Sequence, residues 1–318
     1  MKDLSKASKD SAKLVHIGPE TSGQRVDNFL LRECKGVPKS HIYRILRSGE
    51  VRVNSGRVDA TYRLQEGDRV RIPPLRVGIR SAAPKVPKTE LPLLYEDEGL
   101  IAANKPAGLA VHGGSGVSHG VIEQLRAARP RAKFLELVHR LDRDTSGLLL
   151  LAKKRSVLTA MHELIRAGQV DKRYLVLVHG RWPAGRQHVK FRLQRYVTGA
   201  GERRVSVDDA GREAHTVFEL VRACGDYSLL QAQLKTGRTH QIRVHLAHSG
   251  FPIAGDDKYG DFELNRRLAK LGMKRMFLHA WKLAFVHPVS GDALRLEAPL
   301  PPELEDFLAA LARERQAR

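Results

Sequence analysis

Two apolar runs, Leu137-Val138 and Leu148 to Leu151, flank the polar block His139-Arg140-Leu141-Asp142-Arg143-Asp144-Thr145-Ser146-Gly147. Short apolar runs bounded by turn residues read as buried strands, so the chain must build a sheet that holds this block as a loop. The block offers two carboxylates, two guanidiniums and a Thr-Ser-Gly turn. A carboxylate surrounded by fixed cations stays ionised at neutral pH and can serve as nucleophile or base toward an electron-poor carbon. On composition alone the blander reading is favoured: a salt-bridged loop in which Thr145 and Ser146 cap a turn.

Charge says what such a loop would meet. Lys and Arg total 55 against 35 Asp and Glu, a formal charge of +20 over 318 residues. An excess of that size implies a polyanionic partner, because each phosphate neutralised by a basic side chain releases a counterion. Anionic membrane is excluded as a spanning environment, since no apolar run approaches the roughly 18 residues of a membrane span. Met1 to Lys13 is polar and mixed in charge, without the apolar stretch of a signal peptide, and a cytoplasmic protein is expected. Apolar residues make up 42% of the chain, enough for a core. Cys34 and Cys224 stand far apart in no CxxC pattern, so two ordinary thiols are expected.

Four zones follow from the punctuation of the chain. Residues 1–20 read as a flexible basic tail, and 21–76 as a compact unit ended by Ile72-Pro73-Pro74. Residues 77–92, with Pro84, Pro87 and Pro92 among small and charged residues, read as a linker. From 93 to 318 short β-rich runs alternate with turns and a few helices, closing on a helix near Glu303–Arg315. Within the compact unit, Val26, Phe29 and Leu30 fall at helical spacing. A second helix is expected with Pro38 in its first turn, running to Arg47 and ending at Gly49. Its core side would be Ile42, Ile45 and Leu46, leaving Lys39, Arg44 and Arg47 toward solvent. Val51-Arg52-Val53 alternates into the turn signal Asn54-Ser55-Gly56, and Arg69 to Ile72 alternates again. Residues 24–76 hold twelve Lys/Arg against six Asp/Glu, a basic face that is either merely solvated or bound to phosphate.

Several stretches resemble known families. His139-Arg140-Leu141-Asp142-x-x-Thr145-Ser146-Gly147 is similar to the signature of the pseudouridine synthase family that includes the large-subunit ribosomal enzymes A, C and D. Asn104-Lys105-Pro106-Ala107-Gly108 with Val111-His112 resembles its first motif, and Lys172-Arg173-Tyr174 the segment bearing its active-site tyrosine. Thr236 to His245 resembles its third motif, followed by Pro252-Ile253-x-Gly255-Asp256 and Tyr259-Gly260. Arg25-Val26-Asp27, Ser40 to Ile45 and Gly49 to Asn54 resemble the RNA-binding domain named after a small-subunit ribosomal protein. The resemblance spans residues 21–300.

It implies an α+β catalytic domain with a largely antiparallel mixed sheet and flanking helices, plus a small N-terminal α/β RNA-binding domain. Asp142 falls at the catalytic position and Asp144 at a variable one, which reads as structural. Tyr174 is implied to stack on the uracil and assist proton transfer. An arginine of the third motif is implied to pair with Asp142. Arg243 is preferred, because Gln241 to Val244 alternates as a strand would, and Arg238 is the alternative. Arg140 is implied to enter the RNA in place of a flipped uridine, and flipping is required because a stacked base cannot turn over. Further RNA contacts are expected from Arg238, Lys39, Arg44, Arg47, His112 and Lys105. Addition of the carboxylate to the anomeric carbon and proton removal to a glycal both remain open.

The implied reaction is an isomerisation, so no cofactor is expected, and the implied partner is 23S ribosomal RNA or its assembly intermediate, met by a monomer. The stretches Lys35 to Ser40, Tyr43 to Arg47 and Phe134 to Val138 match the branch of the family that modifies several 23S uridines. A sibling branch acting on another 23S helix is the runner-up and a transfer-RNA enzyme the third. From a different class, a non-catalytic RNA-binding assembly factor would keep the fold without needing Asp142, Tyr174 and Arg243. No metal is expected: His240 and His245 would fall on opposite faces of a strand, and neither HExxH nor a cysteine partner occurs. Gly113-Gly114-Ser115-Gly116 lacks nucleotide-loop spacing and reads as a substrate loop. Asp142 and Asp144, two apart on one loop, do not suit a glycosidase pair.

Overall fold

The computed structural model describes residues 12–34, 36–75, 87, 91–113, 119–183, 185–199 and 201–316. The chain divides into two compact units, Met1–Lys85 and Val86–Arg318. Most of the expected linker, together with Lys35 and residues 114–118 of the glycine-rich stretch, lies outside the described residues.

In the first unit two helices cover a three-stranded sheet. The strands are β1 (Lys13–His16), β2 (Arg52–Val53) and β3 (Arg69–Ile72), in the antiparallel order β1-β3-β2. Helix α1 (Val26–Glu33) buries Val26, Phe29 and Leu30, and α2 (Lys39–Arg47) buries Ile42, Ile45 and Leu46, the spacing of one apolar stripe. Lys39, Arg44 and Arg47 are exposed on the opposite side of α2. Asn54 and Ser55 adopt positive φ (50° and 69°), as a tight hairpin turn requires. The Asn54 side chain secures the turn by donating to Asp68 Oδ1 at 2.7 Å and accepting from Arg69 N–H at 2.8 Å. One expectation is corrected here. Residues 13–16 are not tail but strand β1, paired with β3 from Lys13↔Ile72 to His16↔Arg69. Partner strand hydrogen bonds order them where their own side chains, mostly exposed, give no apolar signal.

The second unit is built on an eleven-stranded sheet. Its strands are β4 (Leu93–Glu96), β5 (Leu100–Lys105), β6 (Glu136–Leu137), β7 (Ser146–Ala152), β8 (Asp171–His179), β9 (Arg186–Val197), β10 (Arg203–Val207), β11 (Arg212–Cys224), β12 (Tyr227–Leu234), β13 (Leu278–Val286) and β14 (Ala293–Glu297). The main path runs β10-β9-β11-β12-β8-β13-β7-β5-β4, with β14 on β13 and β6 on β7. Among the described pairings only β13 with β7 is parallel, so the sheet is the expected mixed, largely antiparallel one. Its helices are α3 (Val121–Ala128), α4 (Arg155–Arg166), α5 (Gln241–His248), α6 (Phe262–Lys270) and α7 (Pro302–Gln316).

Both faces of the central strands are covered. Val176 and Val178 of β8 point into the larger core with α3 and α4, while Leu177 between them enters a second core with Leu264, Leu268 and Phe307 of α6 and α7. All seven residues of β7 are buried, and each of its leucines contributes about 1.5–3 kcal/mol by leaving water. The apolar run at 148–151 thus anchors the loop before it at the middle of the sheet.

Candidate active site

The loop from Val138 to Thr145 is held at its far end by the one parallel junction. Gly147 has φ +105°, and a Cβ there would sit on the carbonyl oxygen of Ala280 in β13. Glycine is therefore required twice over, by backbone conformation and by space. Next to it Ser146 donates to His279 Nδ1 at 2.9 Å and accepts from Arg275 at 2.9 Å. His279 Nε2 in turn donates to the Ala298 carbonyl at 3.1 Å. His139 Nε2 accepts from Leu150 N–H at 3.1 Å, tying the start of the loop back to β7.

Lys105 closes the frame. It is fully buried, and its ammonium donates to the carbonyls of Pro106 (2.7 Å), Leu109 (2.8 Å) and Arg143 (2.9 Å). Burial pushes its pKa down to about 7. The expectation of an RNA contact is corrected. A side chain with no exposed surface and its ammonium hydrogens committed to carbonyls cannot reach phosphate; it clamps the loop instead.

Asp142 lines a cleft of about 380 Å³ together with Arg140, Lys172, Tyr174, His240 and Arg243. Its carboxylate is partly exposed, with Oδ2 3.4 Å from Arg243 Nη1 and Oδ1 3.9 Å from His240 Nε2. Arg243 is buried and oriented chiefly by Asp256, which accepts from Nε at 2.7 Å and from Nη2 at 2.6 Å. Burial, the largest single influence, opposes the guanidinium charge, but the Asp256 hydrogen bonds together with the charges of Asp256 and Asp142 outweigh it and raise the pKa. Burial likewise opposes the Asp256 charge, and Arg243 with the backbone N–H groups of Lys258 and Tyr259 holds its carboxyl below the usual range. This bidentate pair aims one remaining guanidinium edge at Asp142. Tyr174, on β8, is buried in the cleft wall. Burial first, then the charge of Asp142, raise the pKa of its phenol.

The third motif is a helix, not the expected strand. Gln241 to Leu246 are all buried in α5, and a helix enclosed on every side carries no amphipathic period. The helix still delivers Arg243 to Asp142. Arg238 also lines the cleft, but its Nε donates to the Glu213 carbonyl at 3.0 Å. Gln241 fastens the preceding turn through Thr236 Oγ1 (2.8 Å), Arg238 N–H (3.0 Å) and the His215 carbonyl (3.0 Å). Arg140 is exposed at the cleft, whereas His112, also exposed, does not line it. Asp144 pairs with Arg143 at 3.2 Å and stays out of the cleft lining. Lys39, Arg44 and Arg47 belong to the first unit. Among the described residues no group of three or more His, Cys, Asp or Glu is placed to hold a metal ion. Sequence reading missed Asp256, His240 and Tyr259 as parts of the site. The signal available was the third motif for His240, and Gly255-Asp256 with Tyr259-Gly260 for the other two, and none of the three residues had an assigned task.

Histidines shielded from water, His245 and His279 fully and His139 in part, should make the second unit acid-sensitive. Burial, as the largest cause, pushes His139, His245 and His279 down to about 4 each. Unfolded, they titrate near 6.5, so between those values the unfolded state binds more protons and stability is lost as pH falls. The contribution is complete above about pH 7 and nothing further is lost below about pH 4; each shift is worth at most about 3 kcal/mol. Thermal melts are expected to show the steepest fall of Tm between about pH 6.5 and 4. A flat Tm across that window would contradict this account.

The fold and this site define an RNA-modifying isomerase class. The family model described as RNA pseudouridylate synthase matches residues 99–248, and the S4 domain model matches residues 24–70. The chain belongs to the RNA pseudouridylate synthase family. It is 50% identical over 313 residues to the ribosomal large subunit pseudouridine synthase C of Pasteurella multocida (strain Pm70), covering 96% of both chains. The enzyme of the same description from Escherichia coli (strain K12) is also 50% identical over 313 residues, covering 96% of this chain and 98% of that one. Among solved structures, human RNA pseudouridylate synthase domain containing 4 superposes with a TM-score of 0.57 at 26% identity, over 69% of this chain and 92% of the other. No helix among the described residues is long and apolar enough to cross a membrane.

Proposed function

We propose that this protein isomerises several uridines of 23S ribosomal RNA to pseudouridine, acting as a cytoplasmic monomer on the RNA or its assembly intermediate. The observation that carries this reading is Asp142, held by Arg243 through one oxygen and open to the cleft through the other. Half-identity over nearly the whole chain to large-subunit enzymes supports the choice of RNA.

The geometry suits the chemistry. Breaking the N-glycosidic bond leaves positive charge at the anomeric carbon, which an ionised carboxylate beneath the sugar stabilises. Addition at that carbon and proton removal to a glycal both need the same charged Asp142. The freed uracil must turn and rebond through carbon-5 without leaving, and Tyr174 offers a flat face to stack on. Its phenol, with a raised pKa, keeps its proton at neutral pH and so is suited to stacking rather than to acting as the base. Loss of the carbon-5 proton then restores the ring. The exposed Arg140 beside the cleft suits the gap that a flipped uridine leaves.

The test is to incubate the protein with unmodified 23S RNA and map pseudouridine. Modification at a few discrete uridines is expected. Modification confined to transfer RNA, or none in any RNA, would overturn the proposal.

A further inference from the structure

His240 has no part in the reaction described above, yet it faces the reacting carboxylate. Its side chain is 15% exposed. Its backbone is left-handed (φ 54°, ψ 20°) at the residue preceding α5, a conformation that costs a non-glycine residue roughly 1–2 kcal/mol. The surroundings therefore over-determine where the ring goes.

Tyr259 decides which ring nitrogen carries the proton. Its hydroxyl accepts from Val205 N–H at 2.9 Å and lies 2.8 Å from His240 Nδ1. Among the described residues no other acceptor is placed for the phenol hydrogen, so Tyr259 donates to Nδ1. The neutral ring then carries its proton on Nε2, and burial favours that neutral form. Arg243 lies over the Tyr259 ring at 5.1 Å, so one tyrosine braces both partners of Asp142.

Nε2 lies 3.9 Å from Asp142 Oδ1. That is too far for a direct hydrogen bond, but an oxygen about 2.8 Å from each would fit between them at roughly a right angle. Such an oxygen must accept from Nε2–H and donate to a carboxylate, which is what a hydroxyl does. Inside an RNA strand the 3′ and 5′ oxygens are esterified, leaving the 2′-hydroxyl, which is both donor and acceptor. In a β-nucleoside this hydroxyl projects from the face opposite the base. A carboxylate that adds to the anomeric carbon as the base leaves approaches from that same face.

We propose that His240 Nε2–H and Asp142 Oδ1 together bind the 2′-hydroxyl of the target uridine, so that His240 selects ribose over deoxyribose at that one position. The inference rests on the isomerase reading. The test is single-turnover pseudouridine formation on a 23S fragment carrying either uridine or 2′-deoxyuridine at a mapped target, for wild type, His240→Ala and His240→Gln. Deoxyribose is expected to slow the wild type about 10- to 100-fold. His240→Ala should slow the ribose substrate by a similar factor but the deoxyribose substrate by less than about 3-fold, a non-additive cycle. His240→Gln, which keeps an N–H donor, should recover part of the ribose preference. The ribose-to-deoxyribose ratio is insensitive to a partly unfolded variant, because both substrates meet the same folded fraction. Equal slowing of both substrates by His240→Ala, or no slowing of either, overturns this inference alone. A wild type inactive on the ribose fragment overturns the isomerase reading and this inference with it.

Discussion

Asp142→Asn is expected to abolish pseudouridine formation, by at least about 10⁴-fold in single-turnover rate, the scale on which an enzyme loses a nucleophile or its partner. The substitution is nearly isosteric. The loop is held by Lys105, Gly147 and Ser146, none of which touches the carboxylate, so the fold should be unaffected. What disappears is negative charge beneath the sugar. RNA affinity should change little, because electrostatic affinity comes from phosphate neutralisation and not from one carboxylate in a cleft. Reversing Lys39, Arg44 and Arg47 to Glu should do the opposite. Loss of these exposed cations of α2 would weaken binding and lower the slope of log affinity against log salt by roughly two to three, one per lost phosphate contact. Filter binding across a salt series measures both. If Asp142→Asn weakened RNA binding as much as the triple reversal, this division of labour would be contradicted. Retained activity in Asp142→Asn would remove the carboxylate from the mechanism.

How much of this was legible without coordinates depends on whether the signal is local. Helix α2 could be read because Ile42, Ile45 and Leu46 form a stripe against charged neighbours. The hairpin after β2 was announced by Asn54-Ser55-Gly56, in which Asn54 tolerates the positive φ it adopts. Strand β1 was not legible: Lys13–His16 alternates charge and apolar character weakly, and only pairing with β3 defines it. Helix α5 misled because Gln241 to Val244 alternates by type while every residue is buried, and burial on all sides erases period. Lys105 misled for a different reason. A cation in a basic protein reads as a phosphate ligand until its burial is known. Asp142 and its partner Arg243 could be picked out by their motifs, but the tasks of Asp256, His240 and Tyr259 could not. Asp256 and Tyr259 reach Arg243 and His240 through a turn that needs Gly255 at φ +76°, where a Cβ would strike the carbonyl oxygen of Arg275. Such contacts come from tertiary closure, and a motif can mark the turn without saying what it touches.

Asp256 is the residue for which this matters most, and it carries the second large expected effect. Arg243→Met should lower activity by at least about 10²-fold, since it removes the charge that holds Oδ2 of Asp142. It should also destabilise the second unit by about 3–5 kcal/mol, because it leaves the Asp256 carboxylate buried without its cation. The two losses have different origins and can be separated. In the double variant Arg243→Met with Asp256→Asn the stranded charge is gone. Its amide can still accept from Lys258 and Tyr259 N–H. Much of the lost stability should therefore return, making the double variant more stable than Arg243→Met alone, while activity stays lost. Additive destabilisation in urea melts would mean that the buried pair is not coupled as its 2.6 and 2.7 Å contacts imply. Recovery of activity in the double variant would mean that Arg243 serves only to neutralise Asp256, and that Asp142 is aimed by something else.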